Sequence, residues 1–131
     1  MKAYRAAVPG RFLPDNALVE SLPGLTAESG RTPDPVSLAA VWDAAALDAK
    51  LTVGESADPE LQEYEVRYCV GPDYDIDHEH IAGTIPPAGP LIFHTTKGLV
   101  TPGAVASYRV YVILQSGHEA GSNTAVVARP A

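Results

Sequence analysis

Three turn-separated segments limit what this chain can fold into: VSLAAVW at 36–42, YEVRYCV at 64–70 and SYRVYVIL at 107–114. In each, apolar side chains recur at every second residue: Val36, Leu38, Ala40 and Trp42; Tyr64, Val66, Tyr68 and Val70; Tyr108, Val110, Val112 and Leu114. Period two puts each set on one face of a strand. Glu65 and Arg67 take the opposite phase of the second segment, which predicts a strand covered on one side and wet on the other. Strands of that kind belong to antiparallel sheets and sandwiches.

The remaining strand signals are weaker. Leu25 to Glu28 follows Pro23-Gly24, a strand is expected at about 79–85 before Pro86-Pro87, another at 91–97, and a last one at 123–129 after the SGHEAGS turn. That makes seven strands at sandwich spacing. The stretch Asp43 to Pro59 contains AAALDAKL, which has helical propensity but no apolar stripe long enough to dock a helix, so an extended loop with one turn of helix is expected there. Residues 1–20 carry Lys2, Arg5 and Arg11 before any acidic residue and are interrupted by Pro9-Gly10 and Pro14; they read as an arm or linker, leaving 21–131 as one domain.

Composition narrows the function classes. Nine basic against sixteen acidic residues give a formal charge of -7, which offers nucleic acid no basic surface. No apolar run reaches the roughly 18 residues of a membrane span, and Met1 to Gly10 lacks the apolar core of a signal peptide. Cys69 is the only cysteine, so no disulfide forms within the chain; a cytosolic home and a bacterial exterior that does without disulfides both remain open.

Taken jointly, VSLAAVWDAA with Trp42, YEVRY with Tyr64, the GLVTPG turn at 98–103, Tyr108 opening YRVYVIL, and EAGSNTAVV resemble a fibronectin type III domain from about Leu22 to Pro130. The resemblance implies an all-β, seven-stranded antiparallel immunoglobulin-like β-sandwich. It further implies that Trp42 is the buried tryptophan of the second strand, that Tyr64 and Val66 are the core pair of the third, and that Leu99 closes the turn before the sixth. Tyr108 would be the tyrosine whose hydroxyl ties that turn down near Leu99 to Pro102, a tyrosine corner. The expected core is Trp42, Tyr64, Val66, Leu99, Tyr108, Val110 and Val112. The family's Arg-Gly-Asp tripeptide is absent.

Candidate sites are few. DYDIDHEH at 73–80 alternates Asp73, Asp75, Asp77 and Glu79 with bulkier residues, and oxygen ligands at alternate positions suit calcium loops. The sixth position is His78 in place of the glycine such loops need, and the twelfth is Thr84 in place of glutamate, so a helix-flanked calcium loop is excluded; a solvated acidic loop is the expectation, with no required metal and no cofactor, and a looser calcium site at the sandwich end or adventitious divalent metal on His78 and His80 are the alternatives. His94 and His118 are far apart in sequence and read as surface or half-buried histidines. Ser116 and Glu119 crowd His118 along one turn, too closely for a triad. Cys69 falls in the outward phase as a semi-buried thiol without a role. Arg109, Tyr111 and Ile113 share the outward phase of their strand, and Tyr111 with Ile113 predicts an exposed apolar-aromatic pair, a candidate interaction face to be covered by the chain's own arm at 1–20, which is the first expectation, or by a neighbouring domain or protein partner. The functional expectation is a noncatalytic module of a larger protein, a spacer or interaction domain. The alternatives are a carbohydrate or surface-polymer binding module and an enzyme gathering His94 or His118 with carboxylates.

Overall fold

Alternation in DAKLTV decides how the first sheet is built. The computed structural model describes residues 31–131 and gives β1 (Leu38–Asp43), β2 (Asp48–Val53), β3 (Leu61–Val70), β4 (His80–Ile85), β5 (Ile92–Thr95), β6 (Val105–Leu114), β7 (Glu119–Gly121) and β8 (Ala125–Ala128). Ala49, Leu51 and Val53 of β2 are buried, while Asp48, Lys50 and Thr52 alternate with them on the other face. The loop expected over 43–59 is therefore half strand. Ala44 to Leu47 turn, the Leu47 amide donating to the Asp43 carbonyl (2.8 Å) and Leu47 closing the reversal at φ 58°, and Gly54 to Glu60 remain a loop between β2 and β3. The helical propensity of AAALDAKL is spent in that single turn, because a continued helix would expose Leu51 and Val53 that β2 buries.

Two antiparallel sheets result, one of order β1-β2-β5 and one of order β4-β3-β6 with β7 and β8 paired successively along the far side of β6. The described strands number eight, against seven expected for the whole chain. The strand expected at Leu25–Glu28 and the arm at 1–20 lie outside the described residues. The short β7 falls in what was expected to be a turn. Thr32–Ala131 forms one compact unit, and none of its helical segments is long and apolar enough to cross a membrane.

The core lies between the sheets and is made by Leu51, Tyr64, Val66, Leu99, Tyr108, Val110, Val112 and Leu114, with Leu38, Val53, Ile85 and Val127 around them. Trp42 is not among its buried members. VSLAAVW forms the edge of the three-stranded sheet, and Trp42, at the end of that edge, is half-buried with the Arg129 guanidinium 5.4 Å from its ring. The central position expected for it belongs to β2. Val70, expected inward, is 74% exposed where β3 runs out of the sheet.

Tyr108 is wholly buried, and its hydroxyl donates to the Lys97 carbonyl at 2.6 Å. The corner exists, with its acceptor two residues upstream of the expected Leu99 to Pro102 stretch. Gly98 makes this possible: it sits at φ +81°, where a Cβ would lie 2.8 Å from the Ala106 Cβ and 3.1 Å from the Tyr68 ring.

Ser122 and Asn123 join the sheets where β7 gives way to β8. The Ser122 amide donates to the Val110 carbonyl, and the Ser122 hydroxyl accepts from the Val110 amide, so β6 loses no bond at the interruption. Asn123 turns its side chain to the opposite sheet, accepting from the Leu38 amide (3.0 Å) and donating to the Leu38 carbonyl (2.9 Å). One side-chain amide thus supplies the two ladder bonds of a single residue at the edge of β1.

Candidate functional site

The outward face of β3 and β6 is where the sequence placed an interaction surface, and it holds a dense polar network. Register sets Arg67 of β3 directly opposite Arg109 of β6, a like-charge pair that costs stability unless each is compensated. Arg67 is compensated three times: by Glu65 (2.9 Å), Glu79 (3.0 Å) and Glu119 (2.9 Å), the last bidentate. Burial works to lower the Arg67 pKa, but the hydrogen bonds to Glu119 and Glu65 outweigh it and hold the group above its ordinary value. Arg109 donates to the Thr124 hydroxyl and lies 4.6 Å over the Tyr74 ring.

The 71–79 loop folds back over this face. Its Asp75 accepts an Asx-turn bond from the Asp77 amide and opens a single 3-10 turn, Ile76–His78. Tyr74 donates to Glu79 at 2.5 Å, and Tyr111 reaches the same Glu79 oxygen at 3.1 Å. Burial and the Glu79 bond push the Tyr74 pKa up. Cys69, expected to face outward and half-open, is buried beneath the loop, with its thiol 3.2 Å from the Asp75 carbonyl. Ser107, opposite it on β6, is likewise buried and its hydroxyl has no hydrogen-bond partner.

Tyr111 is accordingly not the exposed aromatic the sequence predicts. It is 6% exposed, with the Arg67 guanidinium 3.8 Å from its ring centre and its ring laid over Gly121, where a Cβ would come within 2.8 Å. Arg109 and Ile113 are half-buried beside it. The apolar pair was legible as large residues in the outward phase; Glu79 and Arg67, which meet Tyr111, come from positions distant in sequence.

Of the acidic loop's carboxylates, Asp75 and Glu79 are bonded within the unit, while Asp73 and Asp77 are exposed. Asp75 binds His78 Nδ1 at 2.7 Å on the surface, and that bond together with the Asp77 amide lowers the Asp75 pKa. His118 does meet Ser116, Oγ to Nδ1 3.1 Å, but both are exposed on a turn, and Glu119, the carboxylate nearest in sequence, is committed to Arg67. A nucleophile and base without an orienting group do not make a triad. His94 sits elsewhere, on the outward face of the other sheet, with Nδ1 3.0 Å from Asp48 Oδ1; Asp43 completes a group whose donor atoms all lie within 4.8 Å of one another. That grouping was missed because Asp43 and Asp48 were read as loop. At the end of the sandwich Trp42, Ala44, Leu47, Pro102, Arg129, Pro130 and Ala131 line an open cleft of about 330 Å³.

Comparison of the whole architecture decides the fold. The structure matches an Fn3-like protein from Clostridium thermocellum with a TM-score of 0.57 at 20% identity, covering 77% of this chain and 97% of that one. The fold is fibronectin type III-like. The Fn3-like unit also matches pectate lyase PelI from Erwinia chrysanthemi, solved in complex with tetragalacturonic acid (TM-score 0.57, 15% identity), over 71% of this chain and 28% of the lyase. Pectate lyase Pel3 from Pectobacterium carotovorum matches at 0.57 and 12% identity, over 71% of this chain and 27% of that one. No family model matches the sequence, and no curated protein does. Sheet order β1-β2-β5 against β4-β3-β6 makes 36–42 the first strand of this Fn3-like unit and 48–53 the second, which is why Trp42 stands outside the core.

Proposed function

We propose that this Fn3-like unit is a noncatalytic module of a larger protein, serving as a spacer or protein-interaction domain. The observation that carries the reading is that its catalytic-looking side chains are bonded to one another: Arg67 to three glutamates, Glu79 to two tyrosines, and Glu119 away from the Ser116–His118 pair. Similarity to about a quarter of each pectate lyase chain supports the same view, since such a unit occurs there as one part of a longer enzyme. Aromatic platforms for sugar stacking would need open ring faces, and Tyr74 and Tyr111 each have a guanidinium over theirs. With Tyr111 covered, contact falls to the loop end of the sandwich, where Leu47 is 62% and Val100 75% exposed beside the Trp42 cleft.

The test has two arms on the full chain. Polygalacturonate is offered and unsaturated product followed by ultraviolet absorbance, with tetragalacturonic acid titrated in parallel by calorimetry. We expect neither turnover nor saturable binding; turnover would overturn the noncatalytic reading, and tight sugar binding would replace it with carbohydrate recognition.

A further inference from the structure

We propose that Asp43, Asp48 and His94 form a binding site for a divalent transition-metal ion on the outward face of the three-stranded sheet. The last pair of the β1–β2 ladder sets Asp43 directly opposite Asp48, and the β2–β5 register, Lys50 against His94, brings the imidazole diagonally beside Asp48. One donor atom from each lies within 4.8 Å of the other two. The His94 Nδ1 to Asp48 Oδ1 separation is 3.0 Å. Two cis donors each about 2.1 Å from a shared ion stand about 3 Å apart, so this edge of the coordination shell is already in place.

Asp43 is held for the same purpose. One of its oxygens accepts from the Ala45 amide at 3.0 Å and the Ala46 amide at 3.2 Å, which fixes the side chain and leaves the second oxygen to an ion. Two carboxylates facing each other across neighbouring strands repel, and a cation between them removes that cost. Lys50 shares the face and is the resident competitor. An ion held by His94 Nδ1 takes the place of the hydrogen bond that this nitrogen shares with Asp48.

The donor set selects the metal. One imidazole nitrogen with two carboxylates suits zinc, nickel or cobalt, whereas calcium and magnesium prefer oxygen alone. Three protein ligands on an open sheet leave the remaining positions to water, as His94, 43% exposed at its side chain, faces solvent.

The full chain, freed of metal by a chelator, is titrated with zinc chloride by calorimetry and its melting temperature is followed with zinc, nickel and calcium. One zinc equivalent should bind and raise the melting temperature by several degrees, with calcium ineffective. H94Q should weaken zinc at least tenfold while retaining the wild-type circular dichroism and apo melting temperature, because His94 is exposed; D48N should do the same. The chain has four histidines, so the double variant H78Q/H80Q and the single variant H118Q serve as controls and should bind zinc as the parent does. The proposal is overturned by an unchanged melting temperature at millimolar zinc, by affinity that survives H94Q, or by affinity lost in H78Q/H80Q, which would place the ion on the 73–80 loop.

Discussion

Replacing Tyr108 with phenylalanine isolates one buried hydrogen bond at the turn on which β6 depends. The ring, 0% exposed, keeps its packing against the core, while the hydroxyl that donates to the Lys97 carbonyl at 2.6 Å is removed. A neutral hydrogen bond contributes about 0.5–1.5 kcal/mol net, and an orphaned buried acceptor adds to the loss. Lys97 is exposed as a residue, so water can reach part of its carbonyl and the expected loss stays at about 1 kcal/mol. In a unit of this size that lowers the melting temperature by about 4–8 °C. Urea unfolding should show the midpoint falling with the slope unchanged. The same hydroxyl gives a second reading. Burial, with neighbouring Tyr68, raises the Tyr108 pKa above its ordinary value, so the native state keeps a proton that the unfolded chain loses above about pH 10. Stability from this group is therefore complete below about pH 10 and declines as the pH climbs beyond it. Tyr74, also raised by burial and by Glu79, acts with the same sign. The Y108F variant should lose part of that alkaline decline. An unchanged urea midpoint at neutral pH, together with an alkaline limb identical to that of the parent, would show that the turn is held by Leu99 and Gly98 without the hydroxyl.

Asn123→Ala removes both bonds to Leu38 and should cost about 1–2 kcal/mol, less than two fully buried bonds because Asn123 is itself exposed; amide hydrogen exchange at Leu38 should quicken, and an unaltered rate would show that β1 is held by packing alone. Ser107→Ala deletes a buried hydroxyl with no partner and should change stability by less than about 0.5 kcal/mol or raise it, as read by urea midpoint; a loss above about 1 kcal/mol would mean that the hydroxyl is bonded in solution.

Alternation in YEVRYCV and SYRVYVIL was enough to place the two longest strands and to turn Tyr64, Val66, Tyr108, Val110, Val112 and Leu114 into the core, since side-chain direction in a strand depends only on local backbone geometry. The same rule operates in DAKLTV, but a turn of helix-favouring alanines stood before it, and propensity hid a strand that tertiary burial of Leu51 and Val53 secures. Sequence order could not say which segment lies at a sheet edge. VSLAAVW has the pattern of a central strand and is an edge strand, so Trp42 ends half-covered by Arg129. Outward phase, likewise, was legible for Cys69, Arg109, Tyr111 and Ile113, but exposure was not. Whether an outward residue meets water depends on what folds over it, and here that is a loop whose Glu79 bonds to Tyr111, 32 positions away, and whose Tyr74 ring lies under the Arg109 guanidinium. The Asp43, Asp48 and His94 group shows the same division: each residue was visible in the chain, and only the pairing of β2 with β5 brings a histidine 46 positions distant to within 3.0 Å of Asp48. Local chemistry chooses strands and faces; neighbours in space, set by register and loop closure, choose which of those faces can act.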